Sequence, residues 1–321
     1  MSKTARPQPR WDAGIPPVPR KGIGVWEYLK RTYQAFSDDD ALTLGAALAY
    51  YTVFSLAPLL LTLISIAGLI LGRETVQNQL QTQIQGLIGS GSGDQVKTML
   101  AAATQHQAGG VLGTVIGIVV LILGATGTFA SLQDALNRIW HVKPDPLAGG
   151  IRAFLTKRVV SFGMILGVAF LLLVSLALSA ILSAAGTWIG RMLPTWLSSW
   201  LLQVVGFAAS FLVISALFAA LFKILPDMKL GWRDVWVGAV VTSLLFSIGK
   251  TAIGLYLGKS ATASAYGAAG SFVVIVIWLY YASLIMLFGA EFTKIWAGEH
   301  GRRIKPEPDA VGVKVEEHIQ R

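Results

Sequence analysis

The sequence predicts an all-α, polytopic membrane protein with six transmembrane helices and both termini in the cytoplasm. Its 321 residues are 54% hydrophobic and only 13% charged, and the mean hydropathy is +0.62. Soluble proteins carry about 25% charged residues, so this chain cannot cover a water-exposed surface of ordinary composition. Six long apolar segments predict the spans, and an alternating distribution of positive charge predicts their orientation.

The N-terminal 40 residues precede the first apolar segment. Residues 1–22 are basic and rich in proline, which predicts a disordered tail. Residues 23–36 carry apolar side chains every three or four positions, at Trp26, Leu29, Tyr33 and Phe36. This spacing predicts an amphipathic helix that lies in the membrane interface before the first span.

The membrane domain is predicted to cover residues 23–298. A span needs about 20 apolar residues, and six segments meet that length: 41–72, 109–133, 159–190, 199–222, 235–257 and 266–290. Pro58 lies deep in the first segment and predicts a kink there. Residues 73–108 form the longest loop, predicted to be helical and periplasmic, and residues 299–321 are a charged cytoplasmic tail.

The distribution of Lys and Arg predicts the orientation. The segments 1–40, 134–158, 223–234 and 291–321 carry 21 of the 26 Lys and Arg residues, whereas the loops between them carry 4. The remaining one, Lys250, lies inside the fifth apolar segment. By the positive-inside rule the four rich segments are cytoplasmic, which also places the net charge of +9 beside anionic lipid headgroups.

Composition also excludes several kinds of site. The chain has no cysteine, and its four histidines are far apart in sequence, so we expect no metal and no cofactor. Its acidic residues are scattered among short loops, whereas a metal-dependent nuclease needs them clustered. We therefore expect no nucleic-acid partner; the expected partners are the phospholipid bilayer and its anionic headgroups, with a homo-oligomer or an envelope protein as further alternatives.

Short motifs spread along the chain resemble the YihY/virulence factor BrkB family of bacterial inner-membrane proteins, once mislabelled ribonuclease BN. They include AALAYY at 46–51, SLAP at 55–58, ALNRIW at 135–140, LPD at 225–227, WLY at 278–280 and GAE at 289–291. The resemblance covers about residues 25–298. One departure is Ala57, where the family usually has a bulky residue. The resemblance implies a six-span inner-membrane protein without a defined molecular activity.

Two charged residues of the apolar segments are candidates for a substrate path or a gate. Lys250 is either a counter-charge for an anionic substrate or a side chain that reaches the outer interface. Glu291 ends the sixth segment with Lys294 three residues on, which predicts a local ion pair. The alternative for Glu291 is an inward-facing carboxylate in a gate or a proton path.

Four further candidates have a simpler structural explanation. Asp134 and Arg138 stand four residues apart and are expected to pair on a helix surface. Tyr50 and Trp278 place polar-tipped aromatic rings at depth, where helix packing is the main explanation and a substrate-lining role is the alternative.

These features favour transport, or translocation of a lipid or other envelope component, over the alternative of a scaffold for envelope assembly. The sequence predicts no enzyme, and ribonuclease activity least of all.

Overall fold

We describe the protein from a computed structural model, which describes residues 24–55, 72, 74–78, 127, 130–144, 163, 167, 170–171, 174, 195–259, 268–300, 305–307 and 310–313. The described part is mostly helical. Its main helices are α1 (Val25–Asp38), α2 (Ala41–Ser55), α3 (residues 130–139), α4 (Thr195–Ile224), α5 (Trp232–Lys259) and α6 (Ala268–Glu299).

Among the described residues, three helices are long and apolar enough to cross a membrane: Trp200–Ile224, Trp232–Ala252 and Phe272–Glu299. They correspond to the predicted fourth, fifth and sixth spans. Ala41–Ser55 is a shorter apolar helix at the start of the predicted first span. Most of the predicted second and third spans, Pro58 with its predicted kink, most of the 73–108 loop and the 1–22 tail lie outside the described residues.

Large apolar side chains are exposed along all three long helices. They include Phe207 and Leu212 on α4, Leu244 and Ile248 on α5, and Ile277 on α6. A water-soluble protein rarely exposes apolar surface on this scale, whereas a lipid-facing helix must. The exposure supports a membrane location for these helices.

Helices α5 and α6 pack closely through two glycines and two threonines. Thr293 of α6 lies on Gly238 of α5, and Thr242 of α5 lies on Gly289 of α6. Each hydroxyl donates a hydrogen bond of 2.7 Å to a carbonyl of its own helix, Thr242 to Gly238 and Thr293 to Gly289. The missing Cβ atoms let the backbones approach, as small residues commonly do between membrane helices.

Helices α1 and α2 follow α6 in the opposite direction. Tyr28 of α1 packs on Trp296, Phe36 on Phe288, and Gly45 of α2 lies against Leu284. The side of α1 that packs on α6 therefore includes Tyr28, which is not part of the predicted apolar stripe. Tyr28 lies on this side because it contacts aromatic rings of α6. Among the other stripe residues, Trp26 is 78% and Tyr33 67% exposed, and an interfacial position for this exposed face stays a prediction.

Two short antiparallel sheets join the C-terminal segment to two loops, a feature that the all-α prediction missed. β1 (Val142–Pro144) pairs with β4 (Ala310–Gly312), and β2 (Met228–Lys229) pairs with β3 (Lys305–Pro306). The C-terminal segment thus pairs with two loops: with the loop after α3 through β1, and with the loop after α4 through β2. The sequence analysis treated this segment only as a charged tail.

The buried core lies at the same end of the molecule. It is built from α3, the end of α4, the start of α5 and the C-terminal half of α6, with Leu136, Ile139, Phe222, Val235 and Leu287 at most 1% exposed. Phe36, Leu136 and Leu225 bring the segments 1–40, 134–158 and 223–234 into this core. The strands β3 and β4 of the segment 291–321 pair with the strands that carry its residues Met228 and Val142.

The pairing of β1 with β4 can be tested by disulfide cross-linking. No native thiol has to be removed first, because the chain has no cysteine. Lys143 lies opposite Val311, and Cβ atoms of directly opposed residues lie about 4.5–5.5 Å apart. We expect Lys143→Cys/Val311→Cys to form a disulfide under mild oxidation, measured as a mobility shift that a reductant reverses. Lys143→Cys/Gly312→Cys is the matched control, since neighbouring strand residues point to opposite faces. Equal cross-linking of the two pairs would contradict the register.

The close contact of α5 with α6 predicts that one methyl group added at Gly289 destabilises the protein. In Gly289→Ala the new Cβ would overlap Thr242 Oγ1, and overpacking of this kind costs about 1–3 kcal/mol. We expect a lower thermal unfolding temperature in detergent. Gly163→Ala is the control, because that helical glycine has no atom within 4 Å of an added Cβ; an equal loss in both variants would argue against the close contact.

Candidate functional site

The candidate site is built around Glu291, a carboxylate inside an apolar helix. Glu291 lies near the C-terminal end of α6, within the candidate span Phe272–Glu299, and is 0% exposed. Its Oε2 lies 2.9 Å from Lys294 Nζ, so the predicted ion pair is present. Neither carboxylate oxygen, however, has a hydrogen-bond donor aligned with it among the described residues. A buried charge without such donors is costly, which makes Glu291 unusual.

Lys294 joins three parts of the structure. Its ammonium donates hydrogen bonds to Asp39 Oδ2 at 2.9 Å and to the Ile139 carbonyl at 2.7 Å, besides its ion pair with Glu291. The side chain is only 12% exposed. One cation of α6 therefore holds the turn between α1 and α2 and the end of α3.

Asp39 reaches this site because α1 ends there. Asp40 adopts a left-handed backbone with φ of 51°, a conformation that Asp tolerates better than most residues. Asp39 Oδ1 lies 2.7 Å from His141 Nε2, and His141, which follows α3, also has φ of 51°. Two tight turns thus bring together side chains that are 102 residues apart.

Electrostatics favour the ionised form of Asp39. Burial by itself raises the pKa of this carboxyl, but the hydrogen bonds with His141 and Glu291 and the attraction of the Lys294 ammonium outweigh it. The net result is a pKa of Asp39 well below its usual range. The ionised Asp39 carboxylate therefore faces the Lys294 ammonium.

Two neighbouring polar contacts support the site. Asn137 of α3 exchanges two hydrogen bonds of 2.9 Å with Asp227, one from its amide to the carboxylate and one from the Asp227 backbone N–H. On the other side, Arg31 of α1 lies 2.7 Å from Glu299 of α6. These contacts fix α3 and α1 against the ends of α4 and α6. Within the described ranges, no three His, Asp or Glu side chains are placed to hold a metal ion together.

The structure does not bring the other sequence candidates into this site. Lys250 is half-buried on α5, at the residue after Gly249, which packs on Tyr281. Gly238 of α5 contacts Thr293, which is two residues after Glu291 on α6. Lys250 lies 12 residues after Gly238 on α5, a helical rise of about 18 Å. Lys250 and Glu291 therefore lie at different depths.

The remaining candidates have surroundings of three kinds. Trp278 is 6% exposed and packs on Phe246 at 5.4 Å between ring centroids, which fits a packing role. Tyr50 is 61% exposed, and Asp134 and Arg138 are both exposed on α3. Their roles in a substrate path stay predictions.

Asp39 and His141 are the residues of this site that sequence reasoning missed. Asp39 was not singled out from the sequence, and His141 counted there only as one of four histidines that are far apart. Both lie in segments that the positive-inside rule assigns to one side, beside Glu291. A search for opposite charges near the ends of same-side segments could have paired Asp39 with Lys294.

The helices and the buried ion cluster define the class of a polytopic α-helical membrane protein. The chain belongs to the Virulence factor BrkB family, whose match covers residues 32–312 and so includes part of the C-terminal segment. This confirms the family resemblance seen in the sequence and extends it into the strands β3 and β4.

Named relatives are membrane proteins. The chain is 30% identical to a UPF0761 membrane protein of Methylibium petroleiphilum over 306 residues, 93% of this chain and 69% of the relative. It is 31% identical over 182 residues to a UPF0761 membrane protein of Tolumonas auensis, covering 56% of each. A Pseudomonas aeruginosa relative is 28% identical over 82% of this chain and 61% of its own length. No solved structure matches the chain.

Substitution of Asp39 tests the ion cluster. Asp39→Asn removes one of the two carboxylates that face the Lys294 ammonium, and loss of a buried partner costs about 1–3 kcal/mol. Because its folded pKa is depressed, Asp39 stabilises the protein above its unfolded pKa of about 3.9, and this contribution is lost as the pH falls below that value. We expect a lower unfolding temperature at neutral pH and a smaller difference in acid. Asp38→Asn, on an exposed neighbour, should behave like the wild type; a loss independent of pH would contradict the ionic role.

Proposed function

We propose that the protein is a multi-pass protein of the bacterial inner membrane, with both termini in the cytoplasm, that moves a lipid or another envelope-related substrate across that membrane. The observation that carries the proposal is the wholly buried Glu291 near the C-terminal end of a mostly apolar candidate span. Ionisable groups inside membrane segments are expensive and usually mark substrate or ion pathways.

Two further features support this proposal. The segments rich in Lys and Arg meet at one end of the helices. This arrangement is required if both termini lie in the cytoplasm. Lys250, at a second depth on α5, provides a cation for an anionic group such as a phospholipid headgroup. In this proposal the bilayer and its headgroups are the partners, and neither nucleic acid nor an enzymatic reaction is involved.

The second candidate is a scaffold for envelope assembly, with a further copy of the chain or an envelope protein as its partner. The contact between α5 and α6 favours it, because Thr242 and Thr293 fill the two glycine positions in both directions. Helices packed in this way resist sliding. A scaffold needs no charge at Lys250, whereas a carrier of anions does.

Flux measurements in proteoliposomes distinguish the two candidates. We expect the wild type to move labelled phospholipids or small anions and Lys250→Met to abolish this movement, because it removes the cation without removing the apolar stem. Lys229→Met, at an exposed position of β2, is the matched control and should retain the flux. No flux by folded wild-type protein, or full flux in Lys250→Met, would favour the scaffold or another path.

A further inference from the structure

We propose that Glu291, Asp39, Lys294 and His141 form a proton-binding site, in which the exchangeable proton resides on Glu291 and reaches it from water through His141 and Asp39. The binding itself does not depend on the function proposed above. Only a role of this proton as the driving ion of transport rests on that function.

The first argument is the charge of the cluster. Asp39 and Glu291 are two carboxylates, and one ammonium, Lys294, lies 2.9 Å from an oxygen of each. With both carboxylates ionised and His141 neutral, the cluster carries one net negative charge in a position where Glu291 is 0% exposed. Uptake of one proton makes it neutral, and a neutral cluster avoids the cost of burying a net charge.

The second argument comes from hydrogen bonding. Asp39 Oδ2 and Glu291 Oε2 both lie 2.9 Å from the same Lys294 nitrogen, which brings the two carboxyl groups together. Ionised carboxylates only accept hydrogen bonds, so no bond can form between them while both are charged. Among the described residues, the Glu291 oxygens have no aligned hydrogen-bond donor. A proton on Glu291 supplies the donor and leaves Asp39 as the acceptor.

The surroundings of Glu291 assign the proton to it and not to a neighbour. Asp39 also receives Lys294 and His141 and therefore stays the anion. On its own helix Glu291 faces Lys294, and Glu299 two turns further on is paired with Arg31 of α1. Asp234, the buried acid in the first turn of α5, lies one turn before Gly238 and has interactions of its own. On the α3 side the carbonyl of Ile139 binds Lys294, and Arg138 is exposed.

A route for the proton is present in the same contacts. The His141 side chain is 43% exposed, and its Nε2 lies 2.7 Å from Asp39. A proton taken from water at the other ring nitrogen lets His141 pass the proton of Nε2 to Asp39, which passes one on to Glu291. His141 returns to its neutral form, so one proton moves inward and no bond is left broken. Histidine suits this step because one ring nitrogen can take up a proton while the other releases one.

The site couples proton binding to the position of the turn between α1 and α2. With Glu291 protonated, Lys294 and Asp39 form a neutral pair and Glu291 adds a hydrogen bond to the same turn. After proton loss the two carboxylates repel each other across this contact. The turn at Asp39 is held on α6 most firmly in the protonated form.

Proton binding can be measured on purified protein in detergent, without any transport assay. Potentiometric titration from about pH 5 to about pH 9 should show about one proton more per chain in the wild type than in Glu291→Gln. Glu291→Gln mimics the protonated side chain in shape and should remain folded. Glu307→Gln, at an exposed position outside the cluster, is the matched control and should equal the wild type. Equal proton uptake by the wild type and Glu291→Gln overturns the proposal.

An infrared measurement keeps the proposal testable if Glu291→Gln does not fold. A protonated carboxyl has a C=O band that a carboxylate lacks, so the folded wild type should show this band at neutral pH and lose it at alkaline pH. Absence of a titrating band in the wild type, or its persistence in folded Glu291→Gln, overturns the assignment to Glu291. Failure of lipid or anion flux with this band present would disprove the transport function alone, since the band reports binding and not movement.

Discussion

The Lys294 ammonium is the interaction on which the arrangement of the described helices depends. It is largely buried, and an isolated buried cation is unfavourable. Its three partners come from α6 itself, from the turn after α1 and from the end of α3. These elements are distant in sequence, so the need to satisfy one cation fixes how they meet. The left-handed residues Asp40 and His141 are the local backbone cost of that arrangement.

The ion cluster and the two short sheets act at the same end of the helices. Strands β3 and β4 follow α6 directly and bind the segments after α4 and after α3. The backbone N–H of Glu307 also donates to the Asp227 carbonyl at 3.0 Å, beside the Asp227–Asn137 pair. Backbone pairing and these hydrogen bonds thus hold the segments that carry His141 and Asp227 on the C-terminal segment.

Sequence reasoning could predict the helices but not the contacts between them. The spans at α4, α5 and α6 follow from the length and hydropathy of continuous apolar runs, which are local properties. The Asp39–Lys294 bond joins residues 255 positions apart, and no periodic pattern encodes it. Strands of two or three residues, such as β2 and β3, are likewise too short for alternation to be recognised. The packing of α1 on α6 was not predicted, because Tyr28 has aromatic partners on α6 that only packing reveals.

The contact between α5 and α6 limits where a substrate could pass between Lys250 and Glu291. Three close contacts fill this interface between the two levels: Gly238 with Thr293, Gly289 with Thr242, and Gly249 with Tyr281. The Tyr281 hydroxyl further donates to the Leu245 carbonyl, and Trp278 is buried beside it. Close-packed side chains of this kind leave no room for a solvated ion or headgroup. In a transporter, a path that uses both charged residues must therefore run along another face of these helices, with α5 and α6 moving as one unit beside it.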